Sequence, residues 1–256
     1  MESNKAYWNE RARKNGHTGW NDLVIYYYDQ KVRLNTIDYI LKKTMLNRGG
    51  LSLDYGCGSG DFSEVLSKYF SEVIATDISE IVLSSAKKNN KNSNATFVAF
   101  DDKIFDNDYD LILSITVLQH ILNDKDLEKL LEKFAKSLKE KNGKIILLES
   151  IAIDEMDTME NDYLKIRSKK KLLEIIKNSG LTVESCYDFY NPLSKDSLKF
   201  KKLYNNIFIR ILKILSRLDV YFMKNFLKRV IDIYVGQDIG IIYSESTTKI
   251  LILKNL

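Results

Sequence analysis

Hydrophobic positions along the chain follow two different spacings. Short apolar runs end near residues 54, 77 and 101, and two more cover residues 109–113 and 144–149. Between them, apolar residues recur every three or four positions, most clearly over residues 124–141. Strands that alternate with helices in this way predict an α/β fold with a doubly wound, mostly parallel sheet.

The pattern becomes less regular towards the carboxyl terminus. We predict a helix over residues 168–179, a sixth strand over residues 181–189 and a seventh over residues 241–253. The amino-terminal segment is polar but rich in aromatic residues, so we expect it to fold as a helical lid or to dock on the sheet. The predicted division is a lid (1–46), a core (47–189), a helical insertion (190–240) and a final core strand (241–256).

The candidate chemistry begins at a glycine-rich turn between the first predicted strand and helix. The stretch LSLDYGCGSG ends its strand at Asp54 and then places glycine at Gly56, Gly58 and Gly60. Glycine permits a positive φ and a close approach of the backbone to a ligand. The second predicted strand ends at Asp77, whose carboxylate suits the two hydroxyl groups of a ribose.

The spacing distinguishes between two classes of nucleotide-binding protein. A dinucleotide-binding motif has its third glycine three positions after the second, but this chain has Asp61 there. The order Asp-x-Gly-x-Gly-x-Gly, followed by a ribose-binding acid, resembles motifs I and II of the class I S-adenosylmethionine-dependent methyltransferases. The resemblance covers roughly residues 33–149. It implies a Rossmann-like seven-stranded sheet, with the seventh strand antiparallel beside the sixth. It also implies S-adenosyl-L-methionine as cofactor and S-adenosyl-L-homocysteine as product.

The resemblance also implies which residues contact the cofactor. Asp101, or Asp102 beside it, would accept a hydrogen bond from the adenine amino group, although an acid pair can also be ordinary turn chemistry. Arg33 matches an arginine that binds the methionine carboxylate in quinone-precursor O-methyltransferases, and a solvated helix arginine is the alternative. Cys57 is expected to be a small packing residue of the turn. The predicted contacts are Arg33, Asp54, Gly56, Cys57, Gly58, Gly60, Asp77, Ile78, Asp101, Asp102 and Ser114.

The chain contains two histidines, His17 and His120, and both are candidates for a catalytic base. His120 follows the fourth predicted strand, where the family often has a histidine. His17 would act only if the amino-terminal segment closes over the pocket, and either residue could instead be structural. Glu149, at the end of the fifth predicted strand, is a reserve base. No cluster of acids and histidines has metal-ligand spacing, so no metal is predicted.

Composition narrows the class of protein. The chain has 256 residues and 45% hydrophobic content, enough for one α/β domain with additions. The net charge of +4 does not by itself imply a nucleic-acid partner, and none is expected. Few cysteines, a polar start and no apolar run of about eighteen residues favour a cytoplasmic location. Either a monomer or a homodimer is compatible with these features.

The acceptor is less well defined. No Asn/Asp-Pro-Pro-Tyr motif follows the fourth predicted strand, which disfavours methylation of nucleic-acid bases. The GHTGW stretch and the general pattern resemble small bacterial methyltransferases of surface-polysaccharide modification. This implies a small polar or anionic acceptor, such as an oxygen of a sugar or a phosphate-type precursor. The alternatives are O- or C-methylation of a lipid or quinone precursor, and, from another class, a non-catalytic partner or sensor that binds S-adenosylmethionine.

The predicted insertion has an unusual charge balance. Residues 198–235 hold nine Lys or Arg against two Asp, and each predicted helix has an apolar face and a largely basic one. The insertion could be a helical hairpin with solvated charges or a cap that attracts an anionic acceptor. A third possibility is a peripheral contact with an anionic membrane.

Overall fold

The computed structural model describes residues 2–44, 49–140, 142–152, 156–191, 198–216 and 221–256. No helix within these ranges is long and apolar enough to cross a bilayer. The helices are α1 (Glu2–Asn15), α2 (Leu23–Thr44), α3 (Asp61–Leu66), α4 (Glu80–Asn89), α5 (Asp124–Lys136), α6 (Lys169–Asn178), α7 (Leu198–Tyr204), α8 (Ile207–Ser216) and α9 (Tyr221–Val235). The strands are β1 (Leu51–Tyr55), β2 (Glu72–Asp77), β3 (Ala95–Ala99), β4 (Leu111–Ile115), β5 (Lys144–Ala152), β6 (Thr158–Asn161), β7 (Leu164–Ser168), β8 (Leu181–Phe189), β9 (Ile241–Ile242) and β10 (Thr248–Asn255).

The chain forms two compact units. The first comprises residues 1–18, 45–189 and 243–256, and the second comprises residues 19–44 and 190–242. The segment predicted as one lid is therefore shared: α1 belongs to the first unit and α2 to the second. Packing explains this division, because α1 lies against α4 while α2 lies against α8 and α9.

The first unit is built on a sheet with the strand order β3-β2-β1-β4-β5-β10-β8. Neighbouring strands from β3 to β5 are parallel, and β10 runs antiparallel between β5 and β8. The predicted fold class, including the last strand inserted beside the sixth, is confirmed. The structure adds the hairpin β6–β7, which the hydrophobic pattern did not predict and whose second strand pairs with the end of β5. The short β9 lies at the start of the segment predicted as the seventh strand.

The core lies on both faces of this sheet. On one face, α5 and α6 bury their apolar sides against the strands, as at Phe134 and Ile176. On the other face, α4 packs Leu83 and Ala86 against Ala75 and Phe97 of β2 and β3. Because helices cover both faces, the carboxyl ends of β1, β2 and β4 are held in fixed positions beside one another.

Two predicted boundaries of the core were wrong for a common reason. The helix predicted to reach residue 141 ends at Lys136, and the fourth strand begins at Leu111 instead of residue 109. Tyr109 exchanges hydrogen bonds with the chain that follows the helix: its N–H donates to Ser137 O (2.8 Å) and its carbonyl accepts from Lys139 N–H (2.9 Å). These two hydrogen bonds hold the residues after Lys136 beside Tyr109, so the helix does not continue. Residue 141 lies outside the described ranges.

The seventh strand was also predicted to start too early. It begins at Thr248, not at residue 241. Just before it, Ser246 N–H donates to Asp188 Oδ1 (2.8 Å) and Ser246 Oγ donates to Phe189 O (2.6 Å). These bonds replace ladder pairing there, and the polar residues 244–247 separate the apolar residues before them from the strand.

Candidate active site

The glycine-rich turn between β1 and α3 adopts the conformation that its sequence favours. Gly56, Gly58 and Gly60 have φ values of 77°, 52° and 83°. A methyl group on Gly56 would lie 2.3 Å from Cγ2 of Val117, and one on Gly60 would lie 2.9 Å from the ring of Phe97. Both the backbone conformation and the available space therefore require glycine. The result is a turn of bare backbone that a ligand can contact.

Asp77, at the end of β2, holds the glycine-rich turn by hydrogen bonds to backbone N–H groups. Its Oδ2 accepts from Gly58 N–H (3.0 Å) and its Oδ1 accepts from Ser79 N–H (2.8 Å). Burial raises the pKa of Asp77, and the N–H groups of Ser79, Gly58 and Ile78 oppose that rise. Each carboxylate oxygen offers a further lone pair, so Asp77 can accept hydroxyl groups while it holds the turn.

Asp54 lies beneath the same turn. Its side chain is 2% exposed, and Oδ2 accepts from Ser63 Oγ in α3 (2.6 Å). Burial raises the pKa of Asp54 to about 7, against the opposing hydrogen bond from Ser63. In the structure, Asp54 thus joins β1 to α3. Its neighbour Cys57 is also buried, and burial raises the pKa of its thiol well above the ordinary value, which agrees with a packing role.

The two acids after β3 point to different partners. Asp101 Oδ1 accepts from Lys103 N–H (2.9 Å) and caps the short turn Asp102–Asp106. Asp102 pairs with Lys133 of α5 through Oδ1 (2.8 Å). Asp101 therefore keeps an oxygen for a ligand, and Asp102 is already engaged by a cation. The adenine contact stays a prediction, with Asp101 favoured.

Ser114 stands at the carboxyl end of β4, between β1 and β5. Its side chain is fully buried, and Oγ has no hydrogen-bond partner among the described residues. Buried hydroxyl groups are normally paired, because an unpaired one costs about 1–3 kcal/mol. An unpaired hydroxyl at this edge of the sheet fits a site that a polar ligand completes.

The amino-terminal segment lies over this edge. Ser79 Oγ, just after Asp77, donates to Asn9 Oδ1 of α1 (2.8 Å). Arg11 Nε donates to Thr18 O (2.9 Å), and Thr18 Oγ1 would lie 3.4 Å from a methyl group on Gly58. Residues 2–18 therefore contact the glycine-rich turn, as a lid would.

His120 lies in the short turn Leu118–His120 that follows β4. Its Nδ1 is 2.7 Å from Tyr163 O, and its Nε2 is 3.4 Å from Gln119 Nε2. A carbonyl can only accept, so Nδ1 carries the proton, and the lone pair of Nε2 accepts a hydrogen bond from the amide N–H of Gln119. Burial lowers the pKa of His120 below its ordinary 6.5, and positive Arg11 lowers it further, against the bond to Tyr163. The imidazole is therefore neutral at pH 7, with Nε2 as a proton acceptor.

Aromatic side chains surround His120. The Trp8 ring meets the imidazole edge to face, with centroids 4.7 Å apart. Tyr7 stacks on Tyr163 at 4.1 Å, and Tyr7 and Trp8 are 4.9 Å apart. These contacts join α1 to the β6–β7 hairpin and fix the plane of the imidazole.

The backbone that carries His120 is held by Glu149 of β5. Its Oε1 accepts from the N–H groups of Val117 and Leu118 (both 2.9 Å), and its Oε2 accepts from Gln119 N–H (3.3 Å). The preceding residue, Thr116, has a φ of 55°, which a β-branched residue rarely adopts. Glu149 is only 2% exposed and both of its oxygens accept from the strained turn, a geometry that favours a positioning role over that of the predicted reserve base.

Arg167 of β7 holds the other side of the same segment. Its Nη2 donates to Ile121 O (2.5 Å), and its Nε pairs with Asp124 Oδ1 (2.8 Å). A longer bond joins Nη1 to Leu118 O (3.4 Å). A buried anion thus binds the N–H groups of the segment and a buried cation binds its carbonyls. Sequence reasoning missed Arg167 and Tyr163, because residues 158–168 were not assigned to a hairpin.

Two further predicted residues, His17 and Arg33, belong to different units. His17 is 5% exposed, in the turn after α1 of the first unit. Arg33 belongs to the second unit, where its Nη2 pairs with Asp29 Oδ2 (2.8 Å). Asp29 also accepts from Trp20 Nε1 (2.7 Å). Arg33 therefore holds a carboxylate within its own helix, and its role toward methionine stays a prediction.

The residues at the carboxyl ends of β1, β2 and β4 fit the binding of an adenosyl sulfonium. The glycine-rich turn offers backbone, Asp77 offers a carboxylate to a diol, and Ser114 offers an unpaired hydroxyl. All of them stand at the carboxyl ends of β1, β2 and β4, where ligands of doubly wound sheets bind.

Known proteins agree with this interpretation. Residues 53–141 match the family model of the methyltransferase domain. A chain in the complex between the Haloferax volcanii Trm112 methyltransferase activator and a methyltransferase superposes with a TM-score of 0.60 at 14% identity, covering 99% of this chain and 96% of that one. Magnesium protoporphyrin IX methyltransferase of Synechocystis, with bound S-adenosylhomocysteine, gives 0.58 at 17% identity, covering 73% and 91%. The O-methyltransferase of a Brevibacillus brevis trans-AT polyketide synthase, also with S-adenosylhomocysteine, gives 0.58 at 17% identity, covering 87% and 72%.

No curated protein matches the sequence. At these identities the solved structures establish the fold, while the match over residues 53–141 includes the glycine-rich turn, Asp77 and His120. Residues 53–141 therefore match a methyltransferase domain, and the chain has the fold of S-adenosylmethionine-dependent methyltransferases.

Proposed function

We propose that the enzyme methylates a hydroxyl oxygen of a small acceptor and that His120 is the general base. The observation that carries the proposal is the 2.7 Å contact between His120 Nδ1 and Tyr163 O. It fixes the tautomer in which Nε2 can take a proton. A hydroxyl needs such a base when it attacks, whereas a carboxylate or phosphorus oxyanion needs none.

The lowered pKa of His120 supports this role. A general base must be unprotonated at the working pH, and burial together with Arg11 favours the neutral imidazole. His120 Nε2 would take the proton of the acceptor hydroxyl as its oxygen attacks the methyl group that the cofactor would supply. The imidazolium then returns its proton to solvent.

The surrounding residues supply orientation. Glu149 and Arg167 hold the segment that carries His120, and Trp8 limits rotation of its ring. The glycine-rich turn and Asp77 would hold the adenosyl end of the cofactor, with Asp101 at the adenine and Ser114 nearer the methionine. When bound, S-adenosylmethionine supplies an electrophilic methyl group. Correct placement of the acceptor is the main contribution of the protein to such a displacement.

The acceptor that we favour is a sugar hydroxyl of a surface-polysaccharide precursor, on the sequence resemblance around GHTGW. A phenolic lipid or quinone precursor is the second candidate. The aromatic side chains of Tyr7, Trp8 and Tyr163 beside the base favour it, because they offer flat apolar surface to an aromatic ring. Solved O-methyltransferases among the structural neighbours are compatible with either acceptor.

A panel of acceptors with S-adenosylmethionine carrying a labelled methyl group tests the proposal. The panel contains nucleotide sugars, phenolic quinone precursors and simple carboxylates, and mass spectrometry locates the added methyl group. We expect transfer to a hydroxyl, and we expect His120→Asn to lower kcat about 100- to 10,000-fold. His17→Asn, measured in parallel, should have a smaller effect.

Two results would overturn the proposal. One is methylation of a carboxylate or of carbon with no effect of His120→Asn. The other is tight binding of S-adenosylmethionine, with no methyl transfer to any hydroxyl acceptor of the panel.

A further inference from the structure

The second unit leaves an unusual set of apolar side chains exposed. We call them the apolar ridge. Exposure of each side chain ranges from 38% to 74%. Aromatic rings connect α8 and α9. The ring centroids of Phe208 and Phe226 are 6.5 Å apart, and Phe222 stacks on Phe226 with centroids 6.2 Å apart. The ridge consists of Ile207, Phe208, Ile211 and Ile214 of α8, and Phe222 and Phe226 of α9.

The ridge is not the packing face of these helices. α8 buries Ile209 and Leu212, and α9 buries Leu227, Ile231 and Val235. Those residues satisfy the usual amphipathic pattern of a helix on a core. The ridge is additional apolar surface, and contiguous surface of this kind marks an interaction site.

Charges around the ridge are almost all positive. In residues 198–216 and 221–235, Asp232 is the one acid against eight cations. Arg210, Lys228 and Arg229 are exposed and make no ion pair with a described residue. Arg210 follows Ile207 by three positions and Arg229 follows Phe226 by three, so cations flank the ridge on both helices. The eight cations are Lys199, Lys201, Lys202, Arg210, Lys213, Lys224, Lys228 and Arg229.

A cleft of about 380 Å³ opens beside the ridge. Its lining includes Arg210, Lys213, Tyr204 and Asn205, together with Ile214 of the ridge. Lys213 is paired with Asp22 and with Tyr204 Oη, so Arg210 is the cation that remains for an anion. A phosphate-bearing headgroup matches this lining, with its acyl chains continuing over Ile214.

We propose that the second unit docks on a membrane surface that contains anionic phospholipid. The ridge enters the boundary between headgroups and acyl chains, and Arg210, Lys228 and Arg229 contact lipid phosphates. A basic amphipathic helix with exposed Phe and Ile has the composition of an interfacial helix. Cations near such a surface are attracted by its negative potential, and apolar burial adds to this attraction. The proposal goes beyond methyl transfer and does not rest on the identity of the acceptor.

Vesicle co-sedimentation of the full chain tests the proposal. The vesicles are phosphatidylcholine alone, or phosphatidylcholine mixed with phosphatidylglycerol. We expect binding to the mixed vesicles only, weakened by added salt. Lys228→Glu/Arg229→Glu should weaken binding at least about 10-fold, because each charge reversal removes an attraction and adds a repulsion. Phe222→Ser/Phe226→Ser should weaken it to a similar extent.

Matched controls lie in the first unit. Lys87→Glu/Lys88→Glu changes the net charge equally on exposed positions of α4, and Met156→Ser/Leu173→Ser removes exposed apolar side chains. Both should leave vesicle binding unchanged.

Several results would overturn the proposal. The folded wild-type chain could fail to bind the mixed vesicles, or bind them equally after the ridge and charge substitutions. Ultracentrifugation could instead show a dimer that Phe222→Ser/Phe226→Ser dissociates, with no vesicle binding. In that case a second copy of the chain covers the ridge.

Discussion

The candidate active site of the first unit and the apolar ridge of the second use polar and apolar side chains in opposite ways. In the first unit, apolar residues are buried, and charged residues such as Glu149 and Arg167 are buried with them, where they bind backbone groups. In the second unit, the ridge on α8 and α9 is exposed, for example 70% at Phe222, while cations remain at the surface. Buried polar groups therefore mark the chemical site, and exposed apolar groups mark a surface for interaction.

The comparison can be tested within one helix of the second unit. Leu227 is fully buried in α9, and Phe222 is 70% exposed. Leu227→Ala should lower the free energy of unfolding by about 2–5 kcal/mol, because it leaves a cavity. Phe222→Ala should change it by less than about 0.5 kcal/mol. Chemical denaturation measures both, and equal losses would mean that Phe222 is part of the core.

The glycine-rich turn gives the next largest effect. Gly56→Ala places a methyl group 2.3 Å from Val117 Cγ2, whereas Gly180→Ala meets nothing within 4 Å at a similar φ of 78°. Gly180→Ala should cost about 1–2 kcal/mol of stability because φ is positive, and Gly56→Ala should cost more, because its methyl group also clashes with Val117. Gly56→Ala alone should weaken the binding of S-adenosylhomocysteine about 100-fold, which corresponds to about 2.7 kcal/mol. Calorimetry measures this affinity. Retained affinity in Gly56→Ala would show that the turn is not the cofactor site.

Glu149 tests whether a buried anion positions His120. Glu149→Gln puts an amide where three backbone N–H groups donate, so the turn should shift. We expect kcat to fall about 10- to 100-fold with a smaller change in KM, since a misplacement of about 1 Å has this cost. Glu184→Gln, on the exposed side of β8, is the matched control. A normal kcat in a folded Glu149→Gln enzyme would exclude the positioning role.

The smallest expected effect is the change of kcat/KM with pH. The pKa of His120 is lowered, so the imidazole should become protonated only below pH 6.5. Activity should therefore decrease only below that pH. There kcat/KM should fall by up to about 10-fold per pH unit, because the imidazolium cannot accept a proton. His120→Asn should remove this acidic limb. An acidic limb that persists in the variant would belong to another group.

Much of the first unit could be predicted because its chemistry is local in sequence. The strand that ends at Asp54, the glycines after it and the strand that ends at Asp77 lie within one stretch, and their residue types fix the turn. The same holds for Ser79, a residue type that favours the N-cap position and that caps α4 through its hydroxyl.

The parts that were missed depend on contacts between distant residues. His120 was found as a candidate, but its tautomer depends on Tyr163, 43 positions later. The hairpin β6–β7 does show a weak signal, since Leu164, Ile166 and Ser168 alternate with Lys165 and Arg167 after an Asn-Asp turn. In the second unit, the hydrophobic pattern indicated amphipathic helices but not how much apolar surface would stay exposed.

The state of His120 is the central claim, and nitrogen-15 NMR of the imidazoles measures it directly. The chain has 2 histidines, so the spectrum is simple, and His120→Asn assigns it. The account predicts a neutral His120 at pH 7, protonated at Nδ1 and unprotonated at Nε2, with a pKa below 6.5. A proton on Nε2 of the neutral ring, or an imidazolium at pH 7, would contradict it.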